Sequence, residues 1–326
     1  MEIVKREICE YALLANNIVF VDGVTRTGKS MLNLLIASLD RVSHPQFIEP
    51  LEQLIPMYKT GHVDLNAISS FMRLHLNERI YNYQLSRNLN FRLDDLTSIH
   101  NSSNSKEFIR NLSKTDGDDV IKNLTSSDII YQFQTHDILT HYDIYLKLGL
   151  NTKLIEIIRN PIDTVHSWFK RGWGKRFDLE DPRSGTCLFK YKNRTIPHYV
   201  VGSEDKYLKL NEMEKCVFMH NKLINDSIKQ YELLSKQQKS LILLIKFEDC
   251  LASPTAVIDR ISFFLKTNPT DATHKAYIDA RVPREVNDND RSIKLSEIRD
   301  KVNDKLYEEI VILTSLYEQF AYGMEE

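Results

Sequence analysis

Four short stretches of the chain carry apolar or β-branched residues almost without a break, and each is followed by a turn and a helix-like apolar period. They are Asn17 to Asp22 before Met31 to Leu39, Asp128 to Phe133 before Ile138 to Leu148, Lys153 to Ile158 before Pro161 to Lys170, and Leu241 to Lys246 before Pro254 to Lys266. Near-continuous apolar runs suit strands that helices cover on both faces, as in a parallel sheet. Phe47-Ile48, just before Glu49-Pro50, adds a short fifth strand. Longer helical periods run from Leu65 to Asn88, Asn211 to Lys236 and Val302 to Tyr322. Between Thr97 and Asp119 the residues turn to Ser, Asn, Asp and Lys, which reads as a mobile surface insertion. The pattern predicts an α/β protein, a three-layer α/β/α stack around a central parallel sheet of about five strands. One domain over 1–326 is expected, with a polar helical insertion around 60–125.

Composition narrows this without redirecting it. The 326 residues are 42% hydrophobic and 27% charged, which supports a packed core and excludes disorder and coiled coil. With 43 Lys and Arg against 45 Asp and Glu the net charge is −2, so no global field steers the chain to nucleic acid or an anionic membrane. Cys9, Cys187, Cys216 and Cys250 stand far apart, without the spacing of a zinc site or redox pair, and read as reduced. Charges at Glu2, Lys5, Arg6, Glu7 and Glu10 interrupt any leader or span, so a cytoplasmic protein without a membrane span is expected.

The chemistry starts at the first turn. Gly23-Val-Thr25-Arg26-Thr27-Gly28-Lys29-Ser30 fits GxxxxGK[ST] and lies where that motif belongs, after a buried strand and before a helix. Glycines let successive backbone N–H groups converge on one anion, and the helix N-terminus adds partial positive charge. The expected fold is accordingly P-loop NTPase-like. Two readings remain open at this point: a magnesium-dependent P-loop kinase using ATP, with Asp249 as its metal-binding carboxylate, or a metal-free sulfuryl transfer.

The third strand's turn, Arg159-Asn160-Pro161-Ile162-Asp163, supplies a helix start: Asn160 as N-cap, Pro161 at N1, and Asp163 at N3 able to reach back as in a capping box. Arg159 then stands at the strand's end and Ser167 about two turns into the helix, both within reach of a second phosphate. A phosphate loop after the first strand, joined to Arg-Asn-Pro and a Ser eight residues beyond the Arg, resembles the sulfotransferases that use 3′-phosphoadenosine 5′-phosphosulfate (PAPS). Lys246-Phe-Glu-Asp before a helix, Phe47-Ile-Glu49-Pro50 and Gln134-Thr-His136 are similar to further stretches of that family. The resemblance implies that Thr25, Arg26, Thr27, Gly28, Lys29 and Ser30 hold the 5′-phosphosulfate, that Arg159 and Ser167 hold the 3′-phosphate, and that no metal takes part. Phe-Glu-Asp then becomes a structural junction. Arg284 or Arg291 could stand in for a late basic stretch that many members use on the 3′-phosphate.

Sulfuryl transfer needs a base and a cation at the leaving group. Arg26 and Lys29 fill the second role, and Glu49, then His136, are the candidates for the first. From Arg159 to Arg194 nine basic residues face four acidic ones, interleaved with Trp168, Phe169, Trp173, Phe177, Phe189 and Tyr191. This stretch suits either an anionic or glycan acceptor or a solvated basic flap supporting the 3′-phosphate site; a small-molecule, glycan or lipid acceptor is expected, and no nucleic-acid reader motif occurs. Asn221-Lys222 lacks the Asp that a guanine-binding motif would place next.

Overall fold

The computed structural model describes residues 8–95, 97–102, 105–179, 181, 185–285 and 288–322. Five strands, β1 (Ile18–Asp22), β2 (Gln46–Phe47), β3 (Tyr131–Gln134), β4 (Lys153–Ile158) and β7 (Ile242–Lys246), form one parallel sheet in the order β2-β3-β1-β4-β7. β5 (Leu188–Tyr191) and β6 (Arg194–Pro197) form a separate antiparallel hairpin. Every described residue of β1 is buried, as strands covered on both faces must be. Ile18 and Phe20 face a core shared with Phe133, Leu154 and the helix α2 (Leu65–Gln84). Val19 and Val21 face the other way, onto α1 (Lys29–Ile36), α5 (Pro254–Leu265) and α6 (Asp271–Ala280). This is the expected three-layer stack.

A third core lies beside the sheet. There α3 (Pro161–Lys170) packs on α4 (Glu212–Glu232) and on α8 (Asp304–Tyr322), around Trp168, Trp173, Phe177, Met219 and Ile310. α7 (Asp288–Arg299) lies against α3. Between β2 and β3 the chain forms, besides α2, the shorter helices Glu49–Glu52, Leu54–Lys59, Ser105–Asn111 and Asp118–Ser126. The stretch 97–119 thus contains a helix where polar composition alone suggested loop, because Phe108 packs beside Tyr83 and His44. Connections leave β1 towards β3 on one side and β4 on the other, so the loop after β1 lies where an open α/β sheet gathers ligands.

Candidate active site

Gly23 and Gly28 shape the loop between β1 and α1. Both have positive φ, 135° and 106°, and a side chain at Gly28 would strike the ring of Phe247. Thr27 Oγ1 donates to the Val24 carbonyl at 2.9 Å, closing the turn from inside. Lys29, buried under the loop, donates through Nζ to the carbonyls of Gly23 and of Val24, the latter at 3.0 Å. Burial lowers its pKa against the pull of Asp22, Asp137, Glu52 and Glu156. Ser30 sits half-buried in the first turn of α1.

The basic residues of the two turns converge. Arg159 Nη1 donates to the Arg26 carbonyl at 3.0 Å, Arg26 Nε to Ser167 Oγ at 3.3 Å, and Trp168 Nε1 to the Thr25 carbonyl at 2.7 Å. The Arg159 guanidinium also lies 4.6 Å from the Phe247 ring centre. Burial, then Arg171 and Arg159, lower the Arg26 pKa, the signature of cations held together without a counter-anion. Arg159, 133 positions from Arg26 in sequence, is placed by a cap that the sequence only half predicted. Asn160 Oδ1 accepts from the Ile162 N–H at 3.0 Å, as expected. Asp163, however, does not close a capping box: it accepts from Lys294 Nζ at 2.7 Å and from Arg291 at 3.3 Å. The Asn160 N–H goes instead to Glu248 Oε1 at 3.0 Å, whose other oxygen accepts from Tyr317 at 2.6 Å. Glu248 of the Phe-Glu-Asp stretch is thus a structural junction. Asp249 lies in the helix Phe247–Ala252, its carbonyl accepting from the Ser253 N–H.

Arg291 adds a cation to this corner, close enough to lower the Arg159 pKa, although burial of Arg159 is the largest cause. Arg284 is exposed, its N–H on the Leu251 carbonyl.

On the other side of the loop stands His136, after β3. Its N–H and Nδ1 both meet the buried carboxylate of Glu52, Nδ1 at 3.0 Å from Oε1. A carboxylate only accepts, so Nδ1 carries a proton, and in the neutral ring that tautomer puts the lone pair on Nε2. Glu49 opens the helical turn Glu49–Glu52, and its side chain lies outside the described residues. Glu52 was not singled out in the sequence, because its burial depends on the turn folding back under His136.

Four buried carboxylates surround Lys29. Asp22 and Glu156 are register partners on β1 and β4. Burial and then Asp22 push the Glu156 pKa well up, while Asp22 accepts from the N–H groups of Ile138 and Leu139 at 2.7 and 3.3 Å. One oxygen of each carboxyl, Asp22 Oδ1 and Glu156 Oε2, is buried without a hydrogen-bond partner, and Glu156 is the member held protonated. Asp137 is likewise raised, first by burial and then by Asp22 and Glu52. Among the described residues no group of three or more His, Cys, Asp or Glu has the arrangement of a metal site, and no helix is long and apolar enough to cross a membrane.

The family model described as "Sulfotransferase domain" matches residues 17–306. No curated protein matches the chain. Among solved structures, the sulfotransferase domain of the curacin biosynthetic pathway is 13% identical with a TM-score of 0.44, covering 82% of this chain and 79% of that one. The sulfotransferase domain of the Synechococcus PCC 7002 olefin synthase is 12% identical with a TM-score of 0.48, covering 96% and 98%. A sulfotransferase from Alicyclobacillus acidocaldarius is 11% identical with a TM-score of 0.39, covering 91% and 96%. Likenesses at that level carry no inference about chemistry.

Proposed function

Since the chain belongs to the sulfotransferase family by its match over residues 17–306, we propose that it moves a sulfuryl group from PAPS to a hydroxyl or amine of a small-molecule, glycan or lipid acceptor. The observation that carries the donor is the convergence of Arg26, Arg159 and Ser167 from two turns far apart in sequence. A nucleotide with a second phosphate at the ribose 3′ position gives that cluster its anion; a kinase's ATP does not. Neither this cluster nor the family match supports the magnesium-dependent kinase. We assign the 5′-phosphosulfate to the backbone of Thr25 to Ser30, with Arg26 and Lys29 as its cations, and the 3′-phosphate to Arg159 and Ser167, joined by Arg291. One domain over the whole chain and a cytoplasmic setting, consistent with four unpaired cysteines, complete the proposal.

In this reading His136 Nε2 takes the acceptor proton as the acceptor oxygen or nitrogen attacks sulfur and the bond from sulfur to the 5′-phosphate oxygen breaks. Glu52 holds the ring in the required tautomer and stabilises the imidazolium. Arg26 and the loop N–H groups meet the negative charge that develops on the departing phosphate oxygen. Glu49 remains a candidate base on the same turn.

The test is thermal unfolding in EDTA with 3′-phosphoadenosine 5′-phosphate (PAP), compared with ADP and with ATP and magnesium. PAP at about a hundred times its dissociation constant adds roughly 2.7 kcal/mol, a shift of a few degrees. Arg159→Ala is expected to abolish that shift. Stabilisation only by ATP or ADP with magnesium overturns the donor assignment.

A further inference from the structure

A cleft of about 150 Å³ opens at the carboxyl edge of the sheet, lined among others by Lys59, His141, His198, Tyr199, Lys222 and Asp226. It begins beside the reacting pair. Pro56, on its wall, is four residues beyond Glu52, roughly one helical turn or 5 Å along. His141 belongs to the turn Leu139–His141 that follows His136. Tyr199 is common to both places: its hydroxyl bonds Asp137, next to His136, while its ring lines the cleft.

Hydrogen-bond donors and positive charge exceed their partners in this cleft. Lys222 pairs with Asp226 at 3.5 Å. Lys59 Nζ donates to His141 Nδ1 at 3.3 Å, and among the described residues no carboxylate forms an ion pair with it. Because lysine only donates, His141 must accept at Nδ1 and carry its proton on Nε2, which is buried without a partner. Burial and then Lys59 hold the His141 pKa at about 3; burial, His141 and Lys59 hold His198 well below its ordinary value. Two ammonium groups therefore share one carboxylate, and neither imidazole supplies a compensating anion.

Resting on the sulfotransferase assignment above, we propose that this cleft seats an anionic group of the acceptor, a carboxylate or a phosphate monoester, between Lys59 and Lys222. The acceptor is then a small acid whose hydroxyl or amine is presented to His136 while its charged end is neutralised in the cleft. A cavity of this size accommodates a group as large as a benzene ring. Neutral phenols and alcohols would leave Lys59 unpaired and bind more weakly.

The full-length protein saturated with PAP, so that the phosphate loop is occupied, is titrated calorimetrically with phenylacetate, phenyl phosphate and the neutral 2-phenylethanol. We expect at least one anion to bind ten times or more tightly than the alcohol, the two anions separating a carboxylate from a phosphate preference. Lys59→Met and Lys222→Met should each remove most of that difference while PAP still binds, which shows that the variants are folded. Equal binding of anion and alcohol, no binding of any probe, or a preference that survives both substitutions overturns the inference alone. Failure of PAP itself to bind overturns the donor assignment and this inference with it.

Discussion

Glu156 is the one buried charged residue of β4, and its carboxyl faces Asp22 across the register of two central strands. Two carboxylates in a buried sheet cannot both ionise cheaply, so Glu156 keeps its proton. Glu156→Gln should therefore leave stability within about 1 kcal/mol of the parent at pH 8, since an amide N–H can replace the carboxyl proton towards Asp22. A loss of more than about 3 kcal/mol in denaturant titration would mean that the charged form matters. This residue was legible: a Glu inside Lys-Leu-Ile-Glu-Ile-Ile is out of place in a strand buried on both faces. Glu52 was not, because nothing in its local sequence separates it from Glu49. Glu52→Gln is expected to lower kcat for sulfuryl transfer by roughly 10²-fold with little change in the KM for PAPS, as a positioning residue acting through His136 should. A rise in KM at constant kcat would assign Glu52 to donor binding instead.

α7 is held to α3 by two acid-centred contacts: Asp163 with Arg291 and Lys294, and Glu297 with His166 at 2.8 Å and Lys170 at 2.8 Å. Ile298 is its fully buried apolar anchor. The ion pairs are centred on the buried Asp163 and the half-buried Glu297, and they fix where Arg291 sits relative to Arg159. Asp163→Asn is thus expected to weaken PAP binding by about tenfold in calorimetry while lowering the melting temperature by no more than a few degrees. Unchanged PAP affinity would remove Arg291 from the 3′-phosphate site. At this scale the sequence misled once, at the Asp163 capping box, and was silent once, at the β5/β6 hairpin. Its turn uses Lys192 and Asn193 at φ 45° and 59°, conformations usually signalled by Gly.

For the whole molecule, buried histidines dominate acid behaviour. His44, His141, His198 and His220 are all pushed down, with burial the first cause, His141 to about 3 and His220 to about 4. Below their ordinary pKa near 6.5 the unfolded chain binds protons that the folded one refuses, so stability falls as pH drops. Asp137 and Glu156, whose pKa values are raised, act oppositely, holding protons in the folded state that the unfolded chain has lost. His141 at about 3 and His220 at about 4 stay neutral in the fold over most of the span from about pH 6.5 to 4.5, so there the histidines outweigh the two retained carboxyl protons and stability declines towards acid. Denaturant titrations across that window should show stability decreasing towards acid; a flat or inverted profile would mean that the histidines are charged in the native state.

The sheet, its strand-to-helix turns and the phosphate loop were readable from the chain alone, because apolar runs, a glycine-bounded loop and an Asn-Pro helix start are local signals. So were Arg26, Arg159, Ser167 and His136 as the residues to watch. Which of them meet was decided by tertiary structure: Arg159 reaches the loop only because β1 and β4 are hydrogen-bonded neighbours, and His136 finds Glu52 only because the chain after β2 folds beneath the chain after β3. Burial of charge is likewise a property of the assembled layers. It sets the proton that Glu156 retains beside Asp22, which no window of sequence contains.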